Sequence, residues 1–195
     1  MTGTTLFAPP PLTAAWRHLD ARTGFEVAYF HPLPGGHRVE GCTTAVEDGH
    51  TWIVEYRIDL TPAWATRTAH VTCRTSTGTR HTILESDGEG RWRVNGEHAP
   101  HLDGCLDVDL ESSAMTNTFP VHRLTLPVGA EVQAPAAYVR ALDLTVERLE
   151  QQYVRTADPG RRYDYFSPAF GFACRLTYDE SGLVLDYPGI AVRAI

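Results

Sequence analysis

From Thr51 to Leu60 the chain reads TWIVEYRIDL, and Trp52, Val54, Tyr56, Ile58 and Leu60 alternate with Thr51, Glu55, Arg57 and Asp59. A period of two marks a strand with one buried and one solvated face. Only Ile53 breaks the rule. The same period returns at Ala69/Val71/Cys73, Trp92/Val94, Leu106/Val108/Leu110, Phe170/Phe172/Cys174/Leu176/Tyr178 and Leu183/Leu185/Tyr187. Between these runs, Pro34-Gly35-Gly36, Asp48-Gly49, Asp87-Gly88-Glu89-Gly90, Asn95-Gly96 and Ser181-Gly182 supply the positive φ angles that tight hairpins require. The pattern predicts an all-β, mainly antiparallel fold, a curved roll or barrel. Short helices are expected only near Thr13 to Asp20 and Glu147 to Tyr153. The alternation also predicts that Trp52, Val54, Tyr56, Ile58, Val108, Leu110, Phe172 and Leu176 are buried.

Two stretches echo one another: ILESDGEGRWRVNG (Ile83 to Gly96) and RLTYDESGLVLDYPG (Arg175 to Gly189) each read as strand, acidic Gly turn, strand, Gly. An internal duplication, with halves about 1–110 and 111–195, is one source of such an echo; the common grammar of β-hairpins is another.

Composition narrows the function classes. With 195 residues, 43% hydrophobic and 21% charged, the chain is an ordinary globular one, long enough for one well-buried domain. Its net charge is -7 and all 17 basic residues are Arg, which argues against a broad electrostatic footprint for nucleic acid or anionic membrane. Isolated arginines still suit a particular anion. The four cysteines are scattered without a C-x-x-C pair, and MTGTTLFAPPPLTAAW lacks the basic and apolar regions of a leader, so free thiols in the cytoplasm are expected. No apolar run approaches the roughly 20 residues of a membrane-spanning helix.

The chemistry-bearing residues concentrate in Leu102 to Leu124, LDGCLDVDLESSAMTNTFPVHRL. Asp107 and Asp109, two apart in a strand-like run, should share one face with Cα atoms roughly 6–7 Å apart, opposite Leu106, Val108 and Leu110. Such a pair can divide acid and base roles, hold a divalent cation or accept hydrogen bonds from sugar hydroxyls. It can equally be a solvated face or a set of ion-pair partners for Arg. Thr116-Asn117-Thr118 before Phe119-Pro120 reads first as a turn, although the same short polar side chains also read hydroxyls. Arg123 offers a donor fork to an anionic ligand, or pairs with Asp107 or Asp109 within the fold, which is the simpler use. His98, His101, Asp103 and Cys105 are ligand types for zinc, but Pro100 prevents regular helical spacing between the histidines. No H-E-x-x-H, G-x-S-x-G or G-x-x-x-x-G-K-[ST] motif is present, so neither a cofactor nor a reaction type is announced. Trp16, Trp52, Trp64, Trp92 and the C-terminal Tyr163, Tyr165, Phe166, Phe170, Phe172, Tyr178 and Tyr187 are mostly expected in the core. Along a concave face they would also enclose an acyl chain or stack on a sugar ring.

Six segments in order, W-x-V-E-Y-R-I-D-L-T-P-A-W-A-T-R (Trp52 to Arg67), G-R-W-R-V-N-G (Gly90 to Gly96), L-D-G-C-L-D-V-D-L (Leu102 to Leu110), T-N-T-F-P-V-H-R-L (Thr116 to Leu124), Q-Q-Y (Gln151 to Tyr153) and D-E-S-G-L-V-L-D-Y-P (Asp179 to Pro188), resemble the putative glycolipid-binding family of bacterial proteins. The resemblance covers nearly the whole chain and is most specific from Leu102 to Leu124. It implies a β-roll or half-barrel with two related halves, shaped like carriers that shield lipoprotein acyl chains, and no catalytic residue. Three readings are open. In the first, a non-catalytic binder takes an amphipathic glycolipid in an apolar concavity whose rim is Asp107, Asp109, Asn117, Thr118, His122 and Arg123. In the second, the two Asp serve a hydrolase of glycosides or esters. In the third, the block is a structural clasp between halves.

Overall fold

The computed structural model describes residues 7–157 and 159–194. Residues 1–6, the start of the stretch without a leader pattern, lie outside them. The chain runs through β1 (Thr13–His18), β2 (Thr23–Leu33), β3 (Gly36–Glu47), β4 (His50–Leu60), β5 (Thr66–Thr75), β6 (Gly78–Ser86), β7 (Trp92–Val94), β8 (Glu97–His98), β9 (Asp107–Leu110), α1 (Thr118–Leu124), β10 (Glu131–Gln133), β11 (Ala136–Val139), β12 (Val146–Leu149), β13 (Gln152–Arg155), β14 (Arg161–Ser167), β15 (Phe172–Tyr178), β16 (Val184–Tyr187) and β17 (Ala191–Ala194). Fourteen strands form one open, curved sheet in the order β10-β13-β14-β15-β16-β17-β1-β2-β3-β4-β5-β6-β7-β8. Its two meanders meet where β17 pairs antiparallel with β1, His18 opposite Ala191. Both echo segments form hairpins, β6–β7 and β15–β16.

The excursion between the meanders carries a second sheet, β12-β11-β9, in which β9 and β11 are parallel. Leu102, Cys105, Val108, Leu110, Met115, Phe119 and Val121 of this excursion join one hydrophobic cluster with Trp16, Trp52, Ile58, Leu84, Trp92, Tyr153 and Leu176 of the large sheet. The inner face of the curve is thus filled by the protein's own chain.

Helix placement differs from the sequence expectation. Thr13–His18 is strand β1, with Trp16 fully buried and its indole N–H donating to the Val184 carbonyl at 2.7 Å. Glu147 to Tyr153 spans the end of β12 and the start of β13, since pairing of Leu149 with Ala136 and of Gln152 with Phe166 outweighs local helix preference. The one α-helix among the described residues is α1, in the segment expected as a turn. Pro120 sits in its first turn, where a missing N–H costs nothing, and Thr125 ends it in the left-handed region at φ 44°.

Seven of the eight residues expected to be buried are so; Phe172 is half-buried beside Phe170, which is 48% exposed. Of the Leu183/Leu185/Tyr187 alternation, Leu183 and Tyr187 are buried and Leu185 is half-buried; Val184, out of phase, is buried as well, opposite Tyr178 at the register shift between Thr177 and Tyr178. Cys42, Cys73, Cys105 and Cys174 are free thiols. No helix among the described residues is long and apolar enough to cross a membrane.

One glycine fixes how closely β3 packs on the Tyr56 ring. Gly41 faces Tyr56 across β3–β4, and the phenol lies against it so closely that a Cβ would fall 2.3 Å from the ring Cζ. Gly41→Ala is therefore expected to displace Tyr56 and lower stability by about 1–3 kcal/mol. Urea denaturation is the measurement, and an unchanged midpoint would mean that the ring does not depend on this close approach.

Candidate functional site

The segment after Leu102 is tied to the inner face of the large sheet by backbone-directed bonds. The Trp92 indole donates to the Cys105 carbonyl at 2.8 Å, the Thr66 amide to the Leu106 carbonyl at 2.9 Å, and the Val108 amide to Thr66 Oγ1 at 3.0 Å. Thr43 Oγ1 reaches the Ser112 carbonyl at 2.8 Å. As a result all four residues of β9 are buried. Of the readings the sequence left open, the solvated acidic face is removed: Asp107 is 2% and Asp109 8% exposed.

The two acids lead separate lives. Asp107 is gripped in a fork by Arg123 from α1, Nε at 3.0 Å and the terminal nitrogen at 2.6 Å. Burial pushes its carboxyl up, and the hydrogen bonds and charge of Arg123 pull it back down. Asp109 accepts from Thr116 Oγ1 at 2.7 Å and from the Gln151 amide. Burial raises its pKa to about 6; those two bonds oppose the shift, while the charges of Asp107 and Glu111 add to it. Asn117 accepts the Tyr153 hydroxyl at 2.9 Å on its side chain and the Tyr178 hydroxyl at 3.1 Å on its carbonyl. Thr118 is fully buried and its Oγ1 has no hydrogen-bond partner. His122 packs its ring 3.9 Å from Trp64, and its Nε2 meets the Ser181 carbonyl at 2.9 Å. A carbonyl can only accept, so Nε2 carries the proton. Burial lowers this imidazole to about 4, which keeps it neutral at pH 7.

The most heavily bonded acid was absent from the sequence candidates. Glu26 of β2 is fully buried and accepts from the Tyr56 hydroxyl at 2.7 Å, the Ser113 hydroxyl, and the amides of Ala114 at 2.8 Å and Met115 at 3.3 Å. Burial pushes its pKa up and the four donors pull it down. The period misleads here: Phe25, Val27 and Tyr29 form the more apolar phase of this strand, yet Phe25 and Tyr29 are exposed and Glu26 turns inward with Ala28 and Phe30.

A cavity of about 260 Å³ opens beside this network. Asp109, Ser113, Asn117 and Arg22 supply polar lining, and Tyr138, Tyr165, Phe170, Phe172 and Tyr187 supply aromatic lining. The Arg22 guanidinium lies 5.2 Å from the Trp52 ring centroid and donates to the Glu111 carbonyl at 3.0 Å, yet its buried Nε–H has no partner. Of the six sequence candidates, Asp109 and Asn117 line the cavity; Asp107, Thr118, His122 and Arg123 lie outside its lining. Arg22 and Tyr138 could not be found from sequence, because β11, the β1–β2 turn and β14–β16 converge only in the fold. A larger depression of about 430 Å³ borders exposed Asp164, Phe166 and Ala173 on the other face of β14 and β15. Asp164 is there paired with Arg175 at 2.7 Å, so the smaller cavity is the better candidate site.

The paired-carboxylate arrangement that hydrolysis would use is not assembled from Asp107 and Asp109, because only Asp109 faces the cavity. Glu111 also lines it, held by Arg140 at 3.2 Å and by the Ala141 amide at 2.7 Å. Among the described residues no group of three or more His, Cys, Asp or Glu is placed to hold a metal ion, the His98 to Cys105 stretch included.

Comparison with known proteins gives a consistent picture. The profile of a family described as Putative glycolipid-binding matches residues 13–193. A solved DUF1089 family protein from Pseudomonas aeruginosa is 30% identical, with a TM-score of 0.77 over 100% of this chain and 98% of that one. A beta-barrel-like protein of the domain of unknown function DUF1849 from Brucella abortus is 12% identical, with a TM-score of 0.54 over 96% of this chain and 95% of that one, a likeness of fold alone. No curated protein matches the chain.

Two measurements probe the network. Arg123→Ala strands the buried Asp107 carboxylate and is expected to cost about 3–5 kcal/mol, seen as a large fall in melting temperature; a change below about 1 kcal/mol would mean that the pair is not a structural tie. For Asp109, the folded pKa of about 6 lies above the ordinary 3.8, so the fold favours the protonated form. Its stabilising effect is present below about pH 4 and is lost as pH rises through 6. Relative to Asp109→Asn, wild type should lose about 3 kcal/mol over that window, and parallel stability curves would contradict the assignment.

Proposed function

Because the chain belongs to the Putative glycolipid-binding family, we propose that it binds an amphipathic glycolipid without transforming it, seating the sugar in the cavity beside Asp109. The observation that carries this reading is the cavity's mixed lining: Tyr138, Phe172 and Tyr187 supply aromatic surface, and Asp109, Asn117 and Arg22 supply polar groups. A sugar ring has the complementary character, with C–H faces that pack on aromatic rings and hydroxyls that both donate and accept. Asp109 accepts from one hydroxyl, the Arg22 guanidinium donates to another, and the Asn117 amide fixes orientation. Asp107, Arg123 and His122 serve this site indirectly, as the residues that anchor the segment bearing Asp109 and Asn117, and Thr118 is buried beside them.

Binding is favoured over hydrolysis by the engagement of the neighbouring acids. Asp107 is taken by Arg123 and Glu111 by Arg140, so Asp109 lacks the free second carboxylate that glycoside hydrolysis requires.

The test is calorimetric titration of wild type with methyl glucoside and methyl galactoside, beside Tyr138→Ala and Asp109→Asn. At least one glycoside should bind with enthalpy that depends on the sugar, and each variant should weaken it about tenfold, equivalent to about 1.4 kcal/mol. Absence of glycoside binding at millimolar concentration would overturn the reading. Sugar released from a nitrophenyl glycoside would replace binding with catalysis.

A further inference from the structure

We propose that the protein takes the sugar of its ligand while the acyl part remains in a lipid bilayer, and that the turn Pro168–Gly171 at the cavity mouth is what touches the bilayer. The inference rests on the sugar-binding reading above and adds a partner to it. It departs from the carrier-like shape, in which a hollow sheet encloses the acyl chain.

Volume is the first ground. The inner face that would hold an acyl chain is occupied by Leu102, Val108, Met115 and Phe119. The remaining cavity, about 260 Å³, falls below the roughly 300–1,000 Å³ of pockets that enclose whole drug-sized ligands. It has room for a sugar ring and none for a sugar and its acyl chain together. The chain must therefore leave through the mouth.

What stands at the mouth is the second ground. Between β14 and β15, Pro168, Ala169 and Phe170 form a single 3-10 turn, closed by Gly171 in the left-handed region at φ 56°, and all four residues are exposed. Turn tips in water are ordinarily polar; this one presents three apolar side chains and no charge. Phe170 belongs to the cavity lining and is also 48% exposed, so the apolar surface is continuous from inside the pocket to the outside. Its ring packs 5.7 Å from Tyr138, and the Arg140 guanidinium lies 5.5 Å from its centroid. An apolar tip beside the half-exposed Arg140 matches the headgroup level of a bilayer, where such a side chain lays its apolar stem inward and its charged end in water.

Charge decides which bilayer. The chain carries -7 and no lysine, and Arg140 is balanced by Glu111 and Glu147. The contact is thus apolar rather than coulombic, suits a zwitterionic surface and resists salt.

The experiment is vesicle flotation with phosphatidylcholine vesicles, with and without monogalactosyl diacylglycerol, run beside calorimetric titration with soluble methyl galactoside. The variant is Ala169→Glu, which places a charge on the exposed turn outside the cavity lining; its melting curve serves as the folding control. Wild type should float with galactolipid vesicles in both low and about 0.5 M salt. Ala169→Glu should lose at least tenfold of that partition and keep its affinity for methyl galactoside. Vesicle binding indifferent to Ala169→Glu would overturn the proposal, as would transfer of galactolipid from vesicles into a soluble one-to-one complex. Wild type that binds methyl galactoside and ignores the vesicles would overturn the bilayer contact alone. Failure with both would remove the sugar reading and this inference with it.

Discussion

The carboxylate of Glu26 is the point on which the interior hangs. It projects inward from β2 and gathers the Tyr56 and Ser113 hydroxyls with two successive amides of the excursion. A buried carboxylate without such donors would be far too costly to keep, and a segment whose amides face the core would be equally costly without such an acceptor. Each therefore requires the other. Their match determines where residues 112–117 cross the sheet, and so where Asp109 and Asn117 stand.

The remaining polar contacts extend this anchoring to both meanders. Thr43, Thr66 and Trp92 hold the excursion to the first, while Tyr153, Tyr178 and the Ser181 carbonyl hold it to the second. An open curved sheet has no closure of its own to fix its curvature. Here the curvature is set by a polar-edged insert bonded to strands from both ends of the sheet. Clasp and cavity are consequently parts of one structure: the clasped segment lends Asp109, Leu110, Glu111, Ser113 and Asn117 to the cavity lining, and rigidity of the first is what positions the second.

The composition of the cavity is a consequence of the same arrangement. Polar groups reach it from the insert, from the β1–β2 turn and from Ser167 of β14, and aromatics from β11 and from β14 to β16. Hydrogen-bonding groups and aromatic area thus share one lining, the character expected of a pocket that orients an amphipathic ligand.

The period of two along TWIVEYRIDL and its counterparts determined the fold class, most of the core and the hairpin turns, because alternation and Gly chemistry are local properties of a strand. The Leu102 to Leu124 block also declared its importance, and the pairing of Arg123 with an Asp was legible as the simplest use of a guanidinium near two acids. Three things depended on the tertiary structure. Thr13 to His18 and Glu147 to Tyr153 became strands because partners distant in sequence were waiting for their backbones. Asp107 and Asp109, equivalent by spacing, acquired different fates because α1 brought Arg123 to one and Gln151 came to the other. The cavity itself joins Arg22, Asp109, Tyr138 and Tyr187, and no local pattern can announce a volume that exists only where four separate stretches of chain converge.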